Sequence, residues 1–367
     1  MIRFWLSVAF VALWTAAGPA AASVTIADAF FNVLKDAGFS SISADTPQTS
    51  ESTVTLENVV AIRDIDNAGL FIAAVSITDA DVAPDGTLTA ASLAYDNLRL
   101  GNVFAIRSAT AQDARLQSGV RAGLLPTFNS LTIDGLAAES PTGAGLTLES
   151  LALSRRPLTL SGPTRLSARV TRLSLSNALL GDDAATQLAA IGILPVEISL
   201  TGDATWDEAR QLADIADLQL TVARAGTLSL AMTATRVTPE VIDALWSPSA
   251  SAMARLAALS PLSFDAVTLT LTDDGLTDRI LTRAADTRGL DRQALIDQLL
   301  AAIPAPEQMP LQGTLRQELA EFLTAPGTLQ LSATPGRRMR VGQLLAMIVL
   351  DPTQIPAILE IDVTAEE

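Results

Sequence analysis

The 367-residue chain contains neither cysteine nor histidine, and Lys35 is its only lysine. Without these side chains, neither a Ser-His-Asp nor a Cys-His catalytic arrangement can be built. Zinc sites with nitrogen or sulfur ligands are excluded for the same reason, and so is ligation of haem or iron–sulfur clusters through these residues. Because disulfides are impossible, the folded chain depends on burial of an apolar core for its stability.

Aromatic residues and positive charges are also scarce. Aromatic side chains make up 4% of the chain, and 40 acidic residues against 24 basic ones give a formal net charge of −16 at pH 7. A negative field of this kind repels nucleic-acid phosphates and anionic lipid headgroups at long range, which argues against a nucleic-acid-binding protein and against a peripheral protein of anionic membranes. The hydrophobic fraction is 49%, so the chain is long and apolar enough to bury a sizeable core.

The N-terminus has the pattern of a signal peptide. Arg3 provides a positive start, residues 4–17 are almost wholly apolar, and Gly18-Pro19 ends the run. Small residues follow, which predicts cleavage between Ala22 and Ser23 and export to the periplasm. An uncleaved anchor is the alternative. A spanning helix needs about 20 apolar residues and this run is shorter, so we expect no stable transmembrane anchor.

An amphipathic helix is predicted over Thr25–Ala37, with Gly38 as its end. Its apolar residues recur at helical spacing, and they are Ile26, Ala29, Phe30, Val33, Leu34 and Ala37. A membrane-surface helix and a helix that covers a sheet are the two interpretations. Interfacial helices usually carry a basic polar face, whereas this one has Lys35 against Asp28 and Asp36. This balance favours the covering helix.

From Ser50 to about Leu180, apolar residues alternate with polar ones, which predicts short antiparallel strands. Leu70–Ile77 is apolar on both faces, as expected of a strand with cover on both sides. The strand that begins at Leu166 changes phase between Val170 and Leu173, which predicts a β-bulge. Predicted turns separate the strands at Asp66–Gly69, Pro84–Gly86, Asp134-Gly135, Pro141–Gly143 and Ser161–Pro163.

Helical and strand patterns mix in the second half of the chain. The predicted helices are Asp182–Leu194, one that starts at Thr238-Pro239 and contains Trp246, Thr277–Thr287, Asp291–Ile303, Leu311–Thr324 and Val341–Leu350. A Gly-Thr-Leu phrase that opens an alternating strand recurs at Gly86, Gly226 and Gly327. Its irregular spacing indicates similar β units without a fixed repeat.

These patterns predict a β-rich α+β fold, with one or two curved antiparallel sheets on which an N-terminal helix and several C-terminal helices pack. We expect three segments. Residues 1–22 form the signal peptide, residues 23–180 an N-terminal β-rich unit that includes the leading helix, and residues 181–367 a second β unit with the C-terminal helices. The sequence leaves open whether the two units share one continuous sheet.

Oxygen-based chemistry remains possible in a chain without histidine or cysteine. Asp64–Gly69 resembles the start of a calcium-binding loop, but Ala68 and Val75 occupy two of the ligand positions, so a turn is favoured. Adjacent carboxylates of the kind that glycosidases use occur at Asp207-Glu208, Asp273-Asp274 and Glu366-Glu367. Neighbouring side chains in a strand point to opposite faces, so these pairs do not converge by themselves. We therefore predict no catalytic residues, no metal site and no cofactor.

The densest basic cluster, Arg337–Arg340, has two interpretations. Its arginines could bind a phosphate or a carboxylate-bearing partner. A solvated loop is the alternative, and it is favoured because the cluster follows Pro335-Gly336.

Leucine-rich alternation is densest between Val196 and Met232, where Trp206-Asp207 precedes Leu218-Gln219-Leu220 and Gly226–Leu230. Together with Phe264–Gly275 and Ala325–Thr334, this pattern resembles AsmA-like and related β-groove proteins of Gram-negative envelopes. The resemblance covers about half of the chain and implies lipid handling along an apolar groove. The chain is shorter than those proteins and has no secure transmembrane anchor, which puts a membrane-bridging role in doubt.

We therefore expect a non-catalytic periplasmic protein that binds an apolar ligand such as a lipid, or an envelope protein, in the concavity of a sheet. The candidate ligand-facing residues are Leu70, Ile72, Val75, Ile77, Leu218, Leu220 and Val222. Strands that are apolar on both faces need cover, which a helix, a second sheet or a lipid provides. The alternatives are a scaffold that binds envelope proteins through strand edges and a carboxylate-dependent hydrolase.

Overall fold

A computed structural model describes residues 19–366, apart from residues 65–66, 117–127, 141–142, 159–162, 242–251, 303–310, 337 and 351–357. The predicted apolar segment 4–17, Trp246, Ile303 and Arg337 lie outside the described residues, as do parts of the predicted turns at 66–69, 141–143 and 161–163. The chain divides into two compact units, Met1–Ser154 (unit 1) and Arg155–Glu367 (unit 2). The sequence predicts a division at residue 180. The observed boundary between Ser154 and Arg155 lies inside a strand, where the sequence has no turn signal.

Unit 1 consists of one helix followed by antiparallel strands. Its elements are α1 (Pro19–Asp36), β1 (Phe39–Ser43), β2 (Gln48–Ser50), β3 (Thr53–Arg63), β4 (Gly69–Val82), β5 (Leu88–Leu100), β6 (Phe104–Leu116), β7 (Ser130–Glu139) and β8 (Gly145–Pro157), whose last residues belong to unit 2. The spatial order is β1, β3, β4, β5, β6, β7, β8, with β2 paired to β3. Consecutive strands are therefore neighbours, as in a meander.

Helix α1 covers the sheet of unit 1. It already includes residues from Pro19 onward, ahead of the predicted start at Thr25, and it ends at Asp36. Phe30, Val33 and Leu34 are at most 1% exposed and pack in one core with the strands. This outcome matches the covering role that the charge of the polar face favoured.

Strand β4 contributes four of the predicted ligand-facing residues to that core. Leu70, Ile72, Val75 and Ile77 are at most 1% exposed and pack in the same cluster as α1. The residues between them on the other face are only half-buried. The strand therefore has one core face, and the cover that its apolar pattern requires comes from the protein's own helix.

The four residues share a face because the ladder skips one pair between Ile72 and Val75. The same interruption recurs in six adjacent strands, at Asn58, Ala73, Asn97, Arg107, Gly135 and Glu149 (the kink row). At each position two consecutive residues point away from the core, after which the apolar residues return to it. Irregularities of this kind bend a strand and increase its twist, and the sheet is curved.

Gly135 shows that the predicted turn at Asp134-Gly135 is wrong. The pair lies inside β7, where Gly135 has a φ of +64°. A Cβ atom on Gly135 would lie 2.9 Å from Nε of Arg107, so the arginine side chain packs directly against the glycine backbone. Turns and kinks both need positive φ, which glycine adopts without strain, and the sequence signal is therefore the same for both.

Unit 2 is a second set of antiparallel strands, with helices between several of them. Its strands are β9 (Thr164–Leu175), β10 (Val196–Asp207), β11 (Leu212–Val222), β12 (Gly226–Thr235), β13 (Ser263–Asp273), β14 (Thr328–Ala333), β15 (Met339–Arg340) and β16 (Ile361–Glu366). Its helices are α2 (Asn177–Leu180), α3 (Asp182–Ala190), α4 (Ala252–Leu259), α5 (Leu276–Arg288), α6 (Arg292–Ala301), α7 (Leu311–Thr324) and α8 (Val341–Leu350). The spatial order is β9, β10, β11, β12, β13, β14, β16, with β15 paired to β13.

The predicted β-rich α+β fold class is confirmed. The end predicted for α7 at Thr324 and the start predicted for α8 at Val341 are the observed ones. Asp291 caps α6 as predicted, because its Oδ1 accepts from Ala294 N at 2.7 Å. The bulge predicted in β9 is also confirmed, since its register against β10 shifts between the Leu173 and Val170 pairs.

The core of unit 1 supplies a stability test. Ile72→Ala should lower the free energy of unfolding by about 2–5 kcal/mol, because a fully enclosed side chain leaves a cavity. Ile62→Ala should cost less than about 1 kcal/mol, because Ile62 is 40% exposed on the other face of β3. Urea unfolding followed by circular dichroism measures both. Equal losses in the two variants would contradict the assignment of the core face.

Candidate functional site

The strands of unit 2 separate apolar from polar side chains by face. From β10 to β14, one face carries aliphatic residues, whereas the opposite face carries Ser199, Thr201, Gln219, Thr221, Thr227, Ser229, Thr268, Thr270, Thr272, Thr328, Gln330 and Ser332. The polar side chains bond to each other across strands, as Thr221 and Thr227 do at 3.0 Å between their hydroxyl oxygens. This face suits water, so the aliphatic face is the one that requires cover.

Leucines on the aliphatic face align into two rows across the strands. The first row is Leu200, Leu220, Leu228, Leu271 and Leu329, and the second is Leu218, Leu230, Leu269 and Leu331. Directly opposite residues of paired strands lie on the same face, so these nine side chains form one surface, here termed the leucine stripe. The stripe runs perpendicular to the strands.

The leucine stripe is incompletely covered by the part of the chain that the structure describes. Leu220, Leu228 and Leu269 are 38%, 37% and 36% exposed, and none of the nine leucines is fully buried. None of them belongs to a described core cluster of unit 2. A contiguous set of exposed leucines is informative, whereas single exposed apolar residues are normal.

The chain covers the aliphatic face on both sides of the stripe. On one side, Ile193 and Leu276 pack with Ile198 and Val222, next to the β11–β12 turn. On the other side, residues of α4 and α8 pack with the apolar side chains at the far ends of the strands, which are Ala213, Met232, Phe264, Val267 and Ala333. The leucine stripe therefore lies between two covered margins of the aliphatic face.

In the second row, Gly202 of β10 takes the position at which the first row has Leu200, so no side chain projects from β10 there. It lies opposite Leu218, and a Cβ atom added to it would meet Leu218 Cδ1 at 2.6 Å. The Leu218 side chain consequently leans across the β10 backbone. A larger residue at 202 would push Leu218 out of this position.

Arginine side chains lie at both margins of the leucine stripe. Arg224, in the β11–β12 turn, donates from Nη2 to the carbonyl oxygens of Pro195 at 2.7 Å and Ile193 at 3.3 Å. Arg279 of α5 donates to the backbone carbonyl oxygen of Arg224, which joins α5 to the β11–β12 turn. At the other margin, the guanidinium carbon of Arg155 lies 5.9 Å from the ring centroid of Trp206.

The outer edge of β16 is occupied by a helix. Helix α7 contacts β16 and β14, and Glu318 Oε2 accepts from Ala365 N at 2.6 Å. In the described residues β16 pairs only with β14, so this amide would otherwise be free for another strand. A covered edge of this kind resists strand addition.

The structure distributes the predicted ligand-facing residues over two places. Leu70, Ile72, Val75 and Ile77 lie in the core of unit 1 under α1. Leu218 and Leu220 belong to the leucine stripe, and Val222 lies in its covered margin next to the β11–β12 turn.

The remaining stripe residues were missed as site residues. For Leu228, Leu230, Leu329 and Leu331, the signal was the alternation that opens with the Gly-Thr-Leu phrases at Gly226 and Gly327. That alternation predicts a face but not whether anything covers it.

The predicted carboxylate pairs have local structural contacts. Asp273 caps α5, because its carboxylate accepts from Gly275 N at 2.8 Å and from Thr277 N at 2.9 Å. Asp207 accepts from the backbone amide of Arg210 at 3.0 Å in the β10–β11 turn. Glu367 lies outside the described residues.

Other polar sites considered in the sequence are structural too. Val75, at the last position of the calcium-loop pattern, is enclosed in β4, and the described residues contain no cluster of three or more acids suited to a metal ion. The pKa of Asp85 is lowered mainly by a hydrogen bond from the Thr87 amide, which fixes a β-turn.

The basic cluster at residues 337–340 has contacts within the protein. Met339 and Arg340 pair with β13 as β15, while Arg338 forms an ion pair with Asp265. The basic cluster is therefore partly built into the sheet.

Comparison with known proteins adds one finding. A family model described as "Uncharacterized protein" matches residues 219–366, from within β11 to the end of β16. No curated protein matches the chain. Within the described residues, no helix has the length and apolar character required to cross a bilayer.

Exposure of the leucine stripe can be tested with an apolar dye. The double variant Leu220→Asn, Leu228→Asn should lose most of the Nile red fluorescence of the folded protein, because it puts amides in the middle of the first row. Its free energy of unfolding should change by no more than about 1 kcal/mol per site, since both side chains are over a third exposed. The matched control is Val60→Asn, Ile62→Asn, which alters two exposed aliphatic residues of unit 1. Equal dye loss in both double variants would contradict a special role of the stripe.

Proposed function

We propose that the protein is a non-catalytic carrier or receptor for an apolar ligand, and that the acyl chain of a lipid lies along the leucine stripe. The observation that carries this proposal is the row of leucines left exposed between two covered margins of one sheet face. Water contact with this surface is unfavourable, at about 25 cal/mol for each Å² of apolar area. A bound acyl chain would remove that contact.

The dimensions of the stripe suit an acyl chain. Neighbouring strands lie about 4.8 Å apart, so five strands give the first row a length of about 19 Å. The two rows are two residues apart along each strand, or about 7 Å. Half of a bilayer's hydrocarbon core is about 15 Å deep, which is the length that one lipid chain occupies. A single acyl chain, or two acyl chains side by side, would fit the leucine stripe.

Unit 1 offers an internal comparison. Its sheet has an equally apolar face, and α1 covers that face with residues such as Phe30 and Leu34. The leucine stripe of unit 2 has no equivalent helix among the described residues. The contrast supports a ligand or partner as the missing cover.

A role as a scaffold through strand edges has weaker support. Strand addition requires free backbone amides along an edge, and at β16 the carboxylate of Glu318 already binds the Ala365 amide. A carboxylate-dependent hydrolase has weaker support still, because Asp273 and Asp207 are engaged in a helix cap and a turn.

Lipid binding can be tested on protein isolated from its own compartment. We expect organic extraction and mass spectrometry of the purified full-length product to yield about one lipid per chain for the native protein and for Val60→Asn, Ile62→Asn. The variant Leu220→Asn, Leu228→Asn should yield much less, because the stripe is interrupted. Absence of lipid from the native protein, or equal lipid in both variants, would refute the proposal. A stoichiometric protein partner in native mass spectrometry would favour the scaffold instead.

Periplasmic export is part of the proposal, supported by the positive start and apolar run of residues 1–22. N-terminal sequencing of the periplasmic protein should begin at Ser23. Leu13→Arg should hold the unprocessed chain in the cytosol, because a charge interrupts the apolar segment. Detection of native protein in the cytosol with Met1 intact would count against export.

A further inference from the structure

A cleft lies on the outer face of unit 1, where β5, β6 and β7 run side by side. It has a volume of about 490 Å³, and its lining includes Asn97, Arg99, Arg107, Gly135 and Glu139. The residues that alternate with these along the strands pack in the core, so the cleft is on the face opposite the core. Ligand pockets in proteins have volumes of about 300–1,000 Å³, and this cleft is within that range.

Three residues of the kink row line the cleft. Asn97, Arg107 and Gly135 face one another across β5, β6 and β7, at the level where the ladders skip a pair. A Cβ atom on Gly135 would lie 2.9 Å from both Nε and Nη2 of Arg107. The guanidinium group of Arg107 therefore lies against the β7 backbone, in space that is free because residue 135 has no side chain.

A hydrogen bond holds Arg99 towards the kink row. Arg99 follows Asn97 by two residues in β5, and its Nε donates to Asn97 Oδ1 at 3.1 Å. Because Asn97 lies opposite Arg107 in the next strand, the side chains of both arginines border the same cleft. The residues beside Arg99 in register are Ala105 and Ala137, which are small. A ligand can therefore reach both guanidinium groups without displacing a large side chain.

The charge of the lining is positive, although the chain as a whole is acidic. Among the described residues, neither Arg99 nor Arg107 forms an ion pair. Of the described residues that line the cleft, two are basic and one, Glu139, is acidic. Asp96 and Asp134 lie on the next outward row of the strands and are not part of the lining. The two guanidinium groups therefore attract a negative group into the cleft.

We propose that this cleft is a second binding site, which takes a small oxyanion, a phosphate or carboxylate group, through Arg99 and Arg107. Guanidinium groups present several donors in a planar fork and bind such oxygens by charge-assisted hydrogen bonds. The Asn97 amide adds a donor, because its oxygen accepts from Arg99 and this leaves Nδ2 to donate. The site lies within unit 1, goes beyond the proposed function and does not depend on the leucine stripe of unit 2.

The experiment titrates the ¹⁵N-labelled full-length product with inorganic phosphate and, separately, with acetate, and follows the arginine Nε–H groups by NMR. With at least one of the two ions, the signals of Arg99 and Arg107 should shift together and saturate with one dissociation constant, because both groups contact the same ion. The signal of Arg165, which is paired with Asp203, should not follow them. Sodium chloride at the same ionic strength should leave the Arg99 and Arg107 signals in place.

Substitutions assign the signals and locate the site. Arg99→Gln and Arg107→Gln should each weaken binding of the ion about tenfold, since a hydrogen bond to a charged group contributes about that factor. The signal of the arginine that remains reports the affinity of each variant. The matched control is Arg115→Gln, which removes an exposed arginine from the same face of β6 outside the cleft and should leave the affinity unchanged. All three side chains are exposed, so the variants should keep the native fold.

Three results would overturn the inference. If neither phosphate nor acetate gives a saturable shift, the site is refuted. Equal shifts with sodium chloride at matched ionic strength show general screening and refute it as well. Equal losses of affinity in Arg115→Gln and Arg107→Gln refute the assigned place. The stripe variant Leu220→Asn, Leu228→Asn should bind the ion like the native chain, so failure of this inference leaves the proposed function standing.

Discussion

Each strand in this protein has to satisfy two conditions at once. Its amides must pair with both neighbours, and its apolar side chains must leave water on one face. Unit 1 meets the second condition with α1, which encloses residues such as Ile72. Unit 2 meets it only at the two margins of its aliphatic face, and the leucine stripe between them remains open. The proposed function follows from this unmet condition.

The kink row shows how a curved sheet keeps one face apolar. The buried residues on either side of the kink row, such as Ile72 and Val75, are three positions apart, so unbroken alternation would put them on opposite faces. Two consecutive outward residues, such as Asp134 and Gly135, restore the phase where the ladder skips a pair. Because the interruption falls at the same level in adjacent strands, the core face stays continuous. The positive φ angles at Asn58, Asn97 and Gly135 are the local signature of this device.

Two of the nine leucines in the stripe were named as site residues from the sequence. Leu218 and Leu220 were expected on a ligand face because they alternate with polar residues, and the structure puts them in the leucine stripe. Their partners, such as Leu228 and Leu269, were recognised as strand residues but not as site residues. Alternation defines two faces for every strand, but cross-strand register decides which leucines align. The hydrogen bond from Arg279 to the backbone carbonyl of Arg224 was beyond prediction, because the two residues are 55 positions apart and meet only when α5 packs beside the turn.

Local chemistry by itself determined the fold class, the end of α7, the start of α8, the Asp291 cap and the bulge in β9, since each depends on neighbours within a few residues. Tertiary structure decided which apolar faces are covered. Leu70 and Leu220 both lie in strands and were both expected on a ligand face, yet one is enclosed in the core with α1 and the other is over a third exposed. The difference arises because burial depends on what packs against a face from distant parts of the chain, and side-chain periodicity carries no information about that.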